Sequence, residues 1–176
     1  LIEDMDPRFF RVIKMSEPNE EARRRPFLWR YMEVAPETGK FVFLDSGWLS
    51  ETADDMINGR IDDETLERRL CQIRTFDRQL KDNGYLVVKL FLQIPQEEQK
   101  RRMEKLQNDK NTRWRVSEKD ILQVKKREKY EKIYDRILEA TNTGYVPWNI
   151  VDAVDKKQAL LQVLHILTIQ LNQAAE

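Results

Sequence analysis

Ten residues, Tyr85 to Ile94 (YLVVKLFLQI), form a nearly unbroken apolar run of strand-forming side chains. A strand without a polar face belongs in a parallel sheet covered on both sides. The flanking sequence fits that reading. Asp62 to Asn83 carries Leu66, Leu70, Ile73, Phe76, Asp77 and Leu80 along one side of a long helix, closed by Asn83-Gly84. Short strands are expected at Phe9 to Met15, Lys40 to Leu44 and Val146 to Ala153, and helices at Glu20 to Val34, Pro95 to Asn108, Ser117 to Thr141 and Asp155 to Ala174. Leu1 to Met5 reads as the end of a helix. Ser117-Glu118-Lys119-Asp120 is a cap signal. Strands alternating with helices predict an α/β doubly wound parallel sheet in one domain over residues 1–176.

Composition excludes several functions. Lys plus Arg number 31 and Asp plus Glu 31, so the net charge is zero and no whole-molecule field draws in nucleic acid. No apolar run is long enough to span a bilayer, and no signal peptide is visible. Cys71 is the one cysteine, which fits a reducing, cytoplasmic compartment. At mid-helix it reads as a small packing residue. His165 is the one histidine, on an apolar helix, so neither a zinc site nor a Ser-His-Asp hydrolase is expected. The start at Leu1 reads as mid-domain sequence, so the chain is expected to be a piece of a longer protein.

The segment Arg25 to Trp48 carries the chemistry. Phe41-Val42-Phe43-Leu44 runs into Asp45, and a small-residue turn with Trp48 follows. P-loop phosphotransferases present an Asp to magnesium in this way, at the C-terminal end of an apolar strand. No Gly-rich loop with a Lys occurs in the chain.

Four pieces stand in order: RPFLWRYMEVAPETGKFVFLDSGW, TFDRQLKDNGYLVVKLFLQIPQEEQKRRM, TRWRVSEKD and EATNTGYVPWNIVDAVDKK. Together they resemble the type-2 polyphosphate kinases, thymidylate-kinase-like P-loop proteins that move phosphoryl groups between polyphosphate and nucleotides. The resemblance implies a P-loop-kinase-like three-layer sandwich that lacks its first strand and phosphate loop, with a helical lid over about 97–130. In the family the Asp strand usually continues Arg-Ser-Trp-Tyr. Here Asp45 continues Ser46-Gly47-Trp48-Leu49. Polyphosphate:AMP phosphotransferases fuse two such domains, one often degenerate, and this chain resembles such a half.

The resemblance implies a magnesium ion on Asp45, whose alternative is a turn Asp making a local cap. Asp45, Arg113 and Arg115 form the expected catalytic set. Lys14, Arg30, Arg101, Arg102 and Lys119 are the expected polyphosphate contacts, since Arg pairs phosphate bidentately and Lys acts as a mobile point charge. The alternative for the lid cations, Lys100 among them, is a solvated face paired with Glu97, Glu98, Glu104, Glu118 and Asp120. For Arg30 it is a structural ion pair. Asp54 and Arg60 are the expected nucleotide residues, with Asp55 one position away. Trp29 and Trp148 are expected in the core.

The implied function is transfer of a phosphoryl group between polyphosphate and a nucleoside mono- or diphosphate of the AMP or ADP class. The isolated chain is expected to be inactive. A second homologous domain or a homo-oligomer is the expected partner, with no nucleic acid and no membrane. The alternative is a non-catalytic structural or dimerising half, using the apolar stretch Ala159 to Leu171 to support an active partner domain.

Overall fold

The computed structural model describes residues 2 and 5–175, so the expected helix end at Leu1 to Met5 falls largely outside the described residues. The chain divides into two compact units, residues 1–83 and 84–176. Each contains one parallel pair of five-residue strands and the helices that follow.

In the first unit, β1 (Phe10–Lys14) pairs in parallel with β2 (Phe41–Asp45). The expected helix from Glu20 to Val34 is two short ones, α1 (Glu20–Arg23) and α2 (Trp29–Met32). Pro26 lies between them. It has no N–H to continue the ladder and disfavours helical backbone at the residue before it. α3 (Trp48–Ile57) was not expected. Its buried face is Leu49, Thr52, Ala53 and Ile57, with Trp48 and Asp55 also buried. α4 (Asp63–Asp82) forms as expected, capped by Asp62 on the Thr65 amide. Leu66, Leu70 and Ile73 are fully buried. Each is worth about 1.5–3 kcal/mol of transfer free energy. Gly84 follows with φ +83°, the left-handed position where glycine ends a helix without strain. Cys71 is exposed rather than packed, because it lies off the Leu66-Leu70-Ile73 face.

In the second unit, β3 (Lys89–Gln93) pairs in parallel with β4 (Trp148–Asp152). Residues 85–88 are not strand, and Leu92 is 58% exposed, so cover on both faces fails at that end. α5 (Gln96–Asn108) is followed by a 3-10 turn (Arg113–Arg115), α6 (Glu118–Lys125) and α7 (Arg127–Thr141). The expected helix from Ser117 to Thr141 therefore breaks at Lys126, φ −111° and ψ 28°. No Gly or Pro marks the break. α6 has no fully buried residue, while α7 is anchored by Tyr130, Ile137 and Thr141. Ser117 and Asp120 form the expected capping box. The Lys89 ammonium is buried and donates to the Thr141 carbonyl at 2.7 Å. Trp148 is half-buried, and its indole N–H donates to Thr141 Oγ1 at 2.9 Å.

α8 (Lys156–Ala175) packs Ala159 and Val163 on Val151 and Ala153. Leu160, Leu161, Leu164, Ile169 and Leu171 are exposed on it, as is His165. Among the described residues no helix is long and apolar enough to cross a membrane.

Candidate functional site

Parallel strands put their C-terminal ends on one side, which is where ligands gather in open α/β sheets. In the first unit those ends are Lys14 and Asp45, direct register partners and both exposed. The chain then turns sharply. Ser46 has φ +63°, a left-handed conformation costly for a residue with a Cβ, and Gly47 opens α3. The turn leaves Asp45 at the strand tip.

The other basic candidates of this unit already have protein partners. The Arg30 guanidinium donates to the Ser16 carbonyl and lies 3.8 Å from Glu51. Glu51 also accepts from the Tyr31 hydroxyl at 2.5 Å. Burial, then that hydrogen bond, pushes the Tyr31 phenol well above its ordinary range. The Asp55 carboxylate faces two arginines. It accepts from Arg60 at 3.1 Å and from Arg69 at 2.7 Å. Arg60 also reaches Glu17 at 3.2 Å, and Arg69 lies over the Phe27 ring. Asp54, half-buried, accepts from the Asn58 side chain through its backbone carbonyl.

In the second unit the lid candidates separate into two groups. Arg101 and Arg102 both pair with Glu98, at 2.7 and 2.6 Å. Hydrogen bonds from Arg101, then Arg102, lower the Glu98 carboxyl to about 2. Arg102 also donates to the carbonyls of Ala153 and Val154, at 2.8 and 2.7 Å. Arg113 and Arg115 are exposed, and among the described residues neither has a carboxylate partner. Between them Trp114 is 75% exposed, with the Arg115 guanidinium 5.5 Å from its ring centre. Lys119 is exposed on α6.

A family model described as Polyphosphate kinase 2 (PPK2) matches residues 1–176. The chain belongs to the polyphosphate kinase 2 family. A polyphosphate:AMP phosphotransferase of Pseudomonas syringae pv. tomato is 28% identical over 97% of this chain and 34% of its own length. An NDP-polyphosphate phosphotransferase 3 of Ruegeria pomeroyi is 30% identical over 92% of the chain and 54% of its own. The crystal structure of a polyphosphate kinase 2 from Arthrobacter aurescens TC1 aligns with TM-score 0.91 at 28% identity, over 96% of this chain and 59% of that one. The chain thus spans from a third to about three-fifths of the proteins it matches. The expected α/β class with parallel strands holds for this member of the family.

Sequence reasoning left Asp54 and Asp55 one position apart as candidates, and it missed the partners of Arg102. The signal available for Asp55 was Leu49-Ala53-Ile57 at helical spacing, which puts Asp55 on a helix with a buried side. The carbonyl partners of Arg102 stand 51 and 52 residues away in sequence, beyond any local pattern.

Proposed function

We propose that this chain belongs to an enzyme that transfers a phosphoryl group between polyphosphate and a nucleoside mono- or diphosphate. The observation that carries the reading is the Lys14–Asp45 register pair at the C-terminal ends of two parallel strands. One charge of each sign stands there, a point charge for phosphate oxygens beside a carboxylate for a metal.

Phosphoryl transfer from a polyanion needs charge neutralisation and alignment more than covalent help. A divalent cation, here magnesium, would supply that neutralisation when bound. Magnesium is typically held by one or two carboxylates with substrate phosphates and water completing the shell. Asp45 fits that mode. No cluster of three or more His, Cys, Asp or Glu able to cage a metal occurs among the described residues. Lys14 suits phosphate as a mobile charge in the first unit; in the second, Arg113 and Arg115 are exposed planar forks suited to polyphosphate oxygens. Lys119 and Arg101 add positive potential along the lid. Asp54 and Arg60 serve the nucleotide, with Asp55 holding Arg60 in place. The enzyme works in the cytoplasm, with a second homologous domain or a second copy as partner. The exposed side of α8 is available for that contact.

The test is polyphosphate binding in the presence of magnesium, for wild type and an Arg113→Ala, Arg115→Ala double variant. Tight, salt-sensitive binding that the double variant loses is the expected result. Absence of binding by wild type at low salt overturns the reading.

A further inference from the structure

We propose that Arg102 and Arg127 are positioning residues: they pin the two feet of the basic loop, residues 109–126, to the ends of β3 and β4. This rests on the phosphotransferase reading for what the loop delivers, though not for the pinning itself.

The geometry is specific. Arg102, on α5, donates through Nη2 to Ala153 and Val154 O and through Nε to Glu98. Arg127, the first residue of α7, donates through Nη2 to Ile94 O at 2.8 Å, through Nη1 to Gln99 Oε1 at 2.8 Å, and through Nε to Glu131 at 2.7 Å. Ile94 and Ala153 are the residues immediately after β3 and β4. Each guanidinium thus ties a strand end to a helix that flanks the basic loop. Each uses three of its five donors in the protein, in a fork that a lysine cannot reproduce.

What lies between the pins is held loosely. Neither the 3-10 turn nor α6 has a fully buried residue. A cleft of about 280 Å³ lies where they meet α5, lined by Arg102, Met103, Leu106, Arg115, Val116 and Gln123 among others. α5 stops at Asp109 and α6 at Lys126, so φ and ψ can change at either foot of the loop without breaking a helix. The loop between them carries Arg113, Arg115 and Lys119. The pins set where those cations arrive.

The experiment uses the full-length protein with Arg102→Lys and Arg127→Lys variants. The readouts are tryptic nicking within 109–126, and kcat and KM with polyphosphate. Nicking in that segment should quicken about tenfold, the cost of losing one or two charge-assisted bonds at the pin. kcat should fall while the salt dependence of polyphosphate binding stays unchanged. A phosphate ligand behaves differently: its loss raises KM and flattens the salt dependence by about one contact, with nicking unchanged. That result for Arg102→Lys overturns the proposal. If a variant does not fold, amide exchange in wild type decides. Fast exchange that ends at the pinned helices is expected, and exchange as fast at Arg102 and Arg127 as within 109–126 overturns the pins. If wild type neither binds polyphosphate nor is shielded by it from trypsin, the functional reading fails, while the nicking comparison still judges the pins.

Discussion

Lys14 and Asp45 sit side by side as the last residues of two parallel strands, opposite in charge and carried on backbones about 4.8 Å apart along the hydrogen-bonding direction. Both are exposed, so neither is there for the core. Asp45→Asn in the full-length protein should lower polyphosphate-dependent turnover about 100- to 1,000-fold, the scale of losing one transition-state charge contact. The denaturation midpoint should shift by no more than about 0.5 kcal/mol, as for other exposed sites. Turnover within threefold of wild type would remove Asp45 from the site.

Asp55 makes a different prediction. It is buried between Arg60 and Arg69, so Asp55→Asn leaves Arg69 with a neutral partner in a poorly solvated place. Urea unfolding should show a loss of about 3 kcal/mol. Arg60→Ala should cost less than about 1 kcal/mol, because that end of the pair is half open to water. Equal costs for the two would contradict this asymmetry.

Two titrations follow from named partners. Glu98, lowered to about 2 by Arg101 and Arg102, keeps these bonds at every pH above the ordinary carboxylate range. Its folded value lies below the unfolded one, so its contribution is full above about 4.3 and fades as pH falls towards 2. A carbon-detected NMR titration of Glu98 with a midpoint near 4.3 would deny the contacts.

Tyr31 moves the other way. Its phenol is raised by burial and by the bond to Glu51, so it stabilises the fold up to the ordinary tyrosine value near 10 and loses that contribution above it. Tyr31→Phe should cost about 1–2 kcal/mol at neutral pH and flatten the alkaline part of the stability profile. An unchanged alkaline profile would show that the hydroxyl ionises normally.

Ser46 tests the turn beneath Asp45. With φ +63°, Ser46→Gly should hold or raise stability by up to about 1 kcal/mol, and Ser46→Val should lose about 1–2 kcal/mol. A Val variant as stable as wild type would mean the turn is not left-handed.

The strands and the long helix α4 could be read in the sequence because apolar order is written locally: Phe41 to Leu44, Leu90 to Leu92, and Leu66-Leu70-Ile73. α3 could not be read as easily, since Thr52 and Asp55 are buried polar residues and look like surface in one dimension. The Arg23 to Pro26 stretch misled in the opposite sense. Helix-favouring residues on both sides outweighed the proline, yet the ladder stops there. Asp45 was legible as a strand-end carboxylate. The partners of Arg30, Arg102 and Arg127 were not, because a basic side chain reads alike whether it meets phosphate, carboxylate or a distant carbonyl.

The two parallel pairs also set an order of events. Phe10 meets Phe41 across 31 residues of chain, whereas Lys89 meets Trp148 across 59. Nearly doubling the loop adds about 0.6 kcal/mol to the entropy of closing it. Strand pairing in the first unit should therefore be two- to threefold faster for that reason alone, on the order of 0.6 kcal/mol in the barrier. During synthesis the earlier pair can close before β4 has left the ribosome, so the chain is released with its Lys14–Asp45 end already built.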